Sequence, residues 1–228
     1  MSNLFKGTAR ENRVRTLLIF HPSRDNKRQS RYTMHESLGA SKFMESISES
    51  NPLRLLFMEL VSGHFDHDIG LRDRQLQAYV ANMLTEFCDT RELYKIQDAS
   101  GRPLHDVGEM LLESDPIHGE APGFDRERQV RKHIGDYTLF FAGMFPESIN
   151  RFRLRRHRLE SFIDLMKAGK ESYYIVSQFN QFECAKVAPL FAKLSREFEV
   201  CVFGLNMVKN ELRARQHAIL DRADELLM

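Results

Sequence analysis

Residues 64–68 read HFDHD, two histidines and two aspartates within five positions. Imidazole nitrogens and carboxylate oxygens are the donors a divalent transition ion takes, three or four at a time, from elements that packing holds still. His64 and His67 stand three apart. On a helix continuing from Pro52 through Gly63, helical rotation puts both on the side of Leu53, Phe57 and Leu60. The competing reading is a loop, because Gly63 is a helix stop and Asp66, Asp68 and Gly70 are turn and cap residues, with Asp68 capping the helix that follows. The loop is the expectation and the ligand pair the alternative.

A second pair, His133 and Asp136, also stands three apart, at the edge of a stripe formed by Val130, Ile134 and Tyr137. A histidine there can take a metal or a haem iron, or hydrogen-bond Asp136 or a tyrosine hydroxyl, the common fate of a histidine beside a core. The candidate metal set is therefore His64, His67, His133 and Asp136, with Glu59 and Glu109 as weaker additions. The candidate face for a cofactor or small apolar ligand is His133, Tyr137 and Phe141, within the aromatic run Tyr137, Phe140, Phe141, Met144 and Phe145. Core packing is the simpler use of that run.

The densest single-sign charge run is RFRLRRHR, where Arg151, Arg153, Arg155, Arg156 and Arg158 offer planar forks for a phosphate, a carboxylate or an acidic surface. A solvated helix start, ion-paired to Glu147, Glu160 or Asp164, is the plainer reading. The chain has no Glu-x-x-His pair of the di-iron bundles, no His-Glu-x-x-His, no GxxxxGK, no GxGxxG and no GxSxG. Enzyme classes with those signatures are disfavoured.

The elements that must position these residues read as helices. Pro52 suits a first helical position, and Leu53, Leu56, Phe57 and Leu60 follow it at helical spacing. Leu76, Tyr79, Val80, Met83, Leu84 and Phe87 form one stripe, with Gln75, Gln77 and Asn82 outside it. DASGRP at 98–103 is turn chemistry, and Pro103 is read as opening a short helix with Leu104, Val107 and Leu111. A helix is predicted to start at Phe124 or Asp125, carry Val130, Ile134, Tyr137, Phe141 and Met144, and stop at Pro146, and Leu159 to Tyr174 predicts another, interrupted at Ala168 and Gly169. In the last third Leu194, Phe198, Cys201, Leu205, Val208, Leu212 and Ile219 keep a 3.5-residue period broken by Arg215. Its middle is apolar on nearly all sides, as a central helix is, and its polar end projects from Glu211 onward.

The expected fold is all-α, an irregular bundle of six to eight helices with a central amphipathic C-terminal helix. Residues 51–228 form a single helical domain, and 1–50, rich in serine and charge from His21, an arm or loosely packed segment. Lys plus Arg number 33 against 32 Asp plus Glu, so no net field recruits nucleic acid or an anionic membrane. No apolar run approaches the roughly 20 residues of a membrane span. Cys88, Cys184 and Cys201 form no CxxC and read as reduced, buried thiols of a cytoplasmic protein. The functional expectation is a non-enzymatic helical module that binds a partner protein or a small apolar ligand, with homodimerisation through the C-terminal helix. The alternative is a metal- or haem-dependent helical enzyme or sensor using inward-facing histidines and carboxylates.

Overall fold

A helix begins where a side chain can take up its orphan N–H groups, and Asn51, Asp73 and Asp106 each do so with a carboxylate or amide oxygen. In the computed structural model, which describes residues 48–115, 123–148 and 162–227, these caps open the first half of an all-α bundle. For residues 182, 183 and 219–227 only the backbone is described. The expected arm therefore lies outside the described residues apart from 48–50, and so does the whole arginine run 151–158.

In chain order the helices are α1 (Pro52–Gly63), α2 (Arg74–Glu86), α3 (Thr90–Leu93), α4 (Val107–Glu113) and α5 (Phe124–Met144). They continue as α6 (Phe162–Gln178), α7 (Ala188–Arg196) and α8 (Phe198–Leu227). A π-helical turn, His64–Ile69, extends α1, and a 3-10 turn, Phe182–Lys186, precedes α7. No strand occurs among the described residues, only one isolated bridge between Gln97 and Pro103. That bridge corrects the reading of Pro103 as a helix start, since α4 opens four residues later under the Asp106 cap.

Glycines set how closely the central helices approach. A Cβ on Gly135 of α5 would fall 2.5 Å from the Tyr173 ring of α6, and one on Gly169 of α6 would strike Thr138 and Phe198. These contacts pair 135 with 173 and 138 with 169, so α5 and α6 run antiparallel. On its other side α5 runs parallel to α8, where Gly143 faces Leu205 and Glu147 reaches Lys209 at 2.8 Å. The expected interruption at Gly169 is thus absent: α6 is continuous, and the missing side chain is what lets Phe198 pack there.

The long C-terminal period spans two helices, α7 and α8, parted at Glu197. Leu194, Phe198, Cys201, Leu205 and Val208 are all fully buried, as the period requires, and α8 touches α1, the π turn, α5, α6 and α7. It is central, but not apolar all round, because Phe203 is 61% exposed. Among the thiols only Cys201 is buried; Cys184 is half-buried and Cys88, just past α2, is exposed, which corrects two of the three. No helix among the described residues is long and apolar enough to cross a membrane.

Candidate functional site

HFDHD is neither a loop nor an inward ligand pair. Gly63 keeps helical angles, the helix widens into the π turn, and Gly70, at φ 76°, ends it with its N–H on the Phe65 carbonyl. A π turn closes over five residues instead of four, so its side chains slip out of the α1 register. Phe65 becomes the buried residue, set against Gly204 of α8, while His67 and Asp68 are exposed. Asp73, not Asp68, caps α2.

His64 remains half-buried and is held on both sides. Its Nδ1 lies 2.6 Å from Asp68 Oδ2 and its Nε2 2.7 Å from Glu211 Oε2 of α8, the second an ion-pair contact without hydrogen-bond alignment. Arg215 spans from Glu211 at 2.6 Å to Glu59 of α1 at 2.8 Å. Glu59, Gly63, His64, His67, Asp68, Glu211 and Arg215 thereby line a shallow groove of about 290 Å³ between α1 and α8. The groove ties α8 to α1 by charge. Arg215, the break in the apolar period, is the residue that makes this tie.

The second constellation is deeper. Asp136 is 2% exposed on α5 and accepts from Lys132 Nζ at 2.7 Å, Tyr79 Oη at 2.6 Å and Tyr173 Oη at 2.8 Å. Burial alone would push its carboxyl up, but the Lys132 charge and the three donors outweigh this and hold it below the usual carboxylate range. Burial likewise works against the Lys132 ammonium, and Asp136 reverses the sign. The two tyrosines are driven well above their ordinary range by burial and by the Asp136 charge, so they stay protonated donors. Both carboxylate oxygens are engaged, Oδ1 by the two tyrosines and Oδ2 by Lys132. The cluster locks α2, α5 and α6 together, and Gly135 seats the Tyr173 ring that reaches it.

His133, one turn before, does not bond Asp136. It is 1% exposed, lies edge-on to Phe87 at 5.7 Å and near Tyr137 at 6.0 Å, and neither ring nitrogen closes a hydrogen bond among the described residues. Burial pushes its pKa down to about 3, with Lys95 adding to the effect, while Asp136 and the Leu93 carbonyl pull the other way. The ring is neutral at any ordinary pH. Tyr137 continues this stack to Phe141 at 4.6 Å and donates to the His105 carbonyl at 3.2 Å. His133, Tyr137 and Phe141 are therefore contiguous, as expected, and they sit in the core.

The proposed metal set is split between these two places, and the described residues contain no group of three or more His, Cys, Asp or Glu side chains placed to hold a metal ion. Glu109 pairs with Arg102 at 3.6 Å instead of joining either set. The sequence reading missed Lys132, Tyr79, Glu211 and Arg215 as members of these constellations. The four-residue spacing of Lys132 and Asp136 was a usable signal for the first. No protein-family model, curated protein or solved structure matches the chain.

Proposed function

We propose that this chain is a non-enzymatic cytoplasmic helical module that binds a protein partner through the projecting part of its C-terminal helix. The observation that carries this reading is the mismatch between α8 and the body beneath it. The helix runs 30 residues to Leu227, yet every side chain from Arg213 to Ala218 is exposed. Arg213 and Arg215 tie the start of this stretch to Glu147 and Glu59, and Gln216, His217 and Ala218 after them are exposed, so a surface that covers them would stabilise the helix there. Three unpaired thiols, two of them at least partly accessible, support the reducing compartment.

Photo-crosslinking in cells tests the reading, with the reactive group at exposed Ala218. A discrete adduct that disappears in the Ile219→Glu variant is expected. No adduct at Ala218 or at neighbouring Ala214 would overturn it.

A second reading, a metal- or haem-dependent enzyme or sensor, or a module for a small apolar ligand, is favoured by one observation. His133 is buried and its ring is neutral, the state in which imidazole is a ligand. Metal analysis and an absorption spectrum of untagged protein test it: near-stoichiometric metal or a haem band, lost in His133→Ala, is expected. A metal-free, colourless protein would leave His133 a packing residue.

A further inference from the structure

Most surface cations of this chain sit beside an acid, and those that do not lie together. Among the described residues, the exposed lysines and arginines without an ion pair are Arg72, Arg74, Lys167 and Lys186. All four border α7. Arg72 and Arg74 are the chain neighbours of Asp73, whose carboxylate accepts from Lys193 of α7. Lys167 stands one turn before Lys170 on α6, and the Lys170 carbonyl accepts from Ser195 Oγ of α7 at 2.9 Å. Lys186 ends the 3-10 turn that leads into α7.

What α7 turns outward between them is small. Pro189, Ala192 and Arg196 are exposed and fall within about 60° of one another around the helix. Lys193 leans to the α2 side of that strip and Ser195 to the α6 side. The strip is therefore a low floor of proline and alanine with cations along both edges.

Carboxylates interleave with the cations. Asp73, Glu197 and Glu199 pair with Lys193, Arg196 and Lys170, and Glu171 lies farther round α6, near Arg131. The three paired cations are still between 41% and 68% exposed, and ion pairs at that exposure are worth little, so an incoming carboxylate can share them. Seven cations thus face four carboxylates in a chain whose net charge is only +1. The excess is local.

That excess calls for an anionic partner, and the interleaving decides which kind. A nucleic-acid strand or an anionic membrane presents negative charge throughout, and Asp73, Glu197 and Glu199 oppose it. A peptide can set its acids over the cations and rest small apolar side chains on Pro189 and Ala192. The geometry points to α7, flanked by Arg72, Arg74 and Lys167, as a docking surface for an acidic segment of a partner protein. From its start beside α7, α8 runs about 25 Å to Arg215, so this surface is separate from the projecting helix and does not rest on the reading above.

Fluorescence anisotropy of a labelled peptide repeating Glu-Ala-Leu-Glu, titrated with the full chain at low salt, tests it. Saturable binding that weakens as salt rises is expected. Arg72→Glu together with Arg74→Glu should weaken it at least about tenfold, as should Ala192→Glu, with helical circular dichroism unchanged because all three side chains are exposed. Arg91→Glu together with Arg102→Glu alters the net charge as much as the first pair, on α3 and the turn after it, and should leave the affinity within about twofold.

A chain that does not bind the peptide, or one that the Arg91 and Arg102 pair weakens as much, overturns the proposal. Single-stranded RNA and phosphatidylserine vesicles are titrated alongside. If either binds in place of the peptide and is released by the Arg72 and Arg74 pair, the surface takes a polyanion and the acidic segment is refuted. The Ala218 adduct is read on its own, so either result can fail while the other stands.

Discussion

Replacing Lys132 by methionine isolates the Asp136 cluster. Methionine keeps the unbranched stem and removes the ammonium 2.7 Å from the carboxylate, while the two tyrosine hydroxyls at 2.6 and 2.8 Å remain. Removing one partner of a buried pair costs about 3–5 kcal/mol, because a charge is left without its counterion. Lys132 is still 18% exposed, so the lower end, about 3 kcal/mol, is the working figure. For a domain of this size that is a fall in melting temperature of roughly 10 °C.

The pH dependence gives a sharper test than the size. In the wild type the folded Asp136 pKa lies below its unfolded value near 3.9, so its contribution is present above that value and lost as pH falls through the folded one. Without Lys132 the burial effect is opposed only by the tyrosines, and the folded pKa moves above the unfolded value. The sign then inverts: the variant is relatively best below about pH 4 and loses stability as pH rises towards 7. Glu86, already raised by burial and also held down by Lys132, moves the same way. Urea melts followed by circular dichroism at pH 4 to 7 measure the difference. A loss under about 1 kcal/mol at pH 7, or a difference that does not grow with pH, would refute the account of the cluster.

The glycines give opposite predictions at two sites. Gly135→Ala drives a methyl into the Tyr173 ring and should cost about 2 kcal/mol, whereas Gly63→Ala, helical with open space around it, should gain up to about 1 kcal/mol; equal effects in denaturant melts would contradict the packing described. His133→Phe keeps an aromatic ring in this apolar setting and gives up at most one contact with the Leu93 carbonyl, so stability at pH 7 should change by no more than about 1 kcal/mol. Its folded pKa of about 3 lies below the ordinary 6.5, so the wild type loses stability as pH falls from 6.5 towards 3, and His133→Phe should lose less over that window in acid titrations. Tyr173→Phe removes one donor from Asp136 and should cost about 1–2 kcal/mol, against no measurable change for exposed Tyr174→Phe in the same thermal melts.

The sequence by itself determined the helices and most of their inward faces. The stripes through Leu76, Val80, Met83 and Leu84, and through Phe198, Cys201, Leu205 and Val208, were legible because helical rotation is a local property that each segment expresses alone. The aromatic run from His133 to Phe141 was legible for the same reason.

What packs against a face is not local. Gln77 reads as an outer residue, yet it is fully buried because its amide reaches Asp66 at 2.6 Å and the Leu71 carbonyl at 2.9 Å across the π turn. Phe203 lies in the apolar middle of α8 yet points out, because Gly204 beside it, not Phe203, is the position pressed by Phe65.

HFDHD shows the division most clearly. Its composition was visible, but whether its histidines turned inward depended on one extra residue in a helical turn, which the packing of Phe65 on α8 selects. Asp136 and its counterion Lys132 share one helix turn that the spacing shows, while its two tyrosines come from two other helices that only the folded chain brings together. Types and periods are written in the chain. Convergence between distant segments is a property of the assembled bundle.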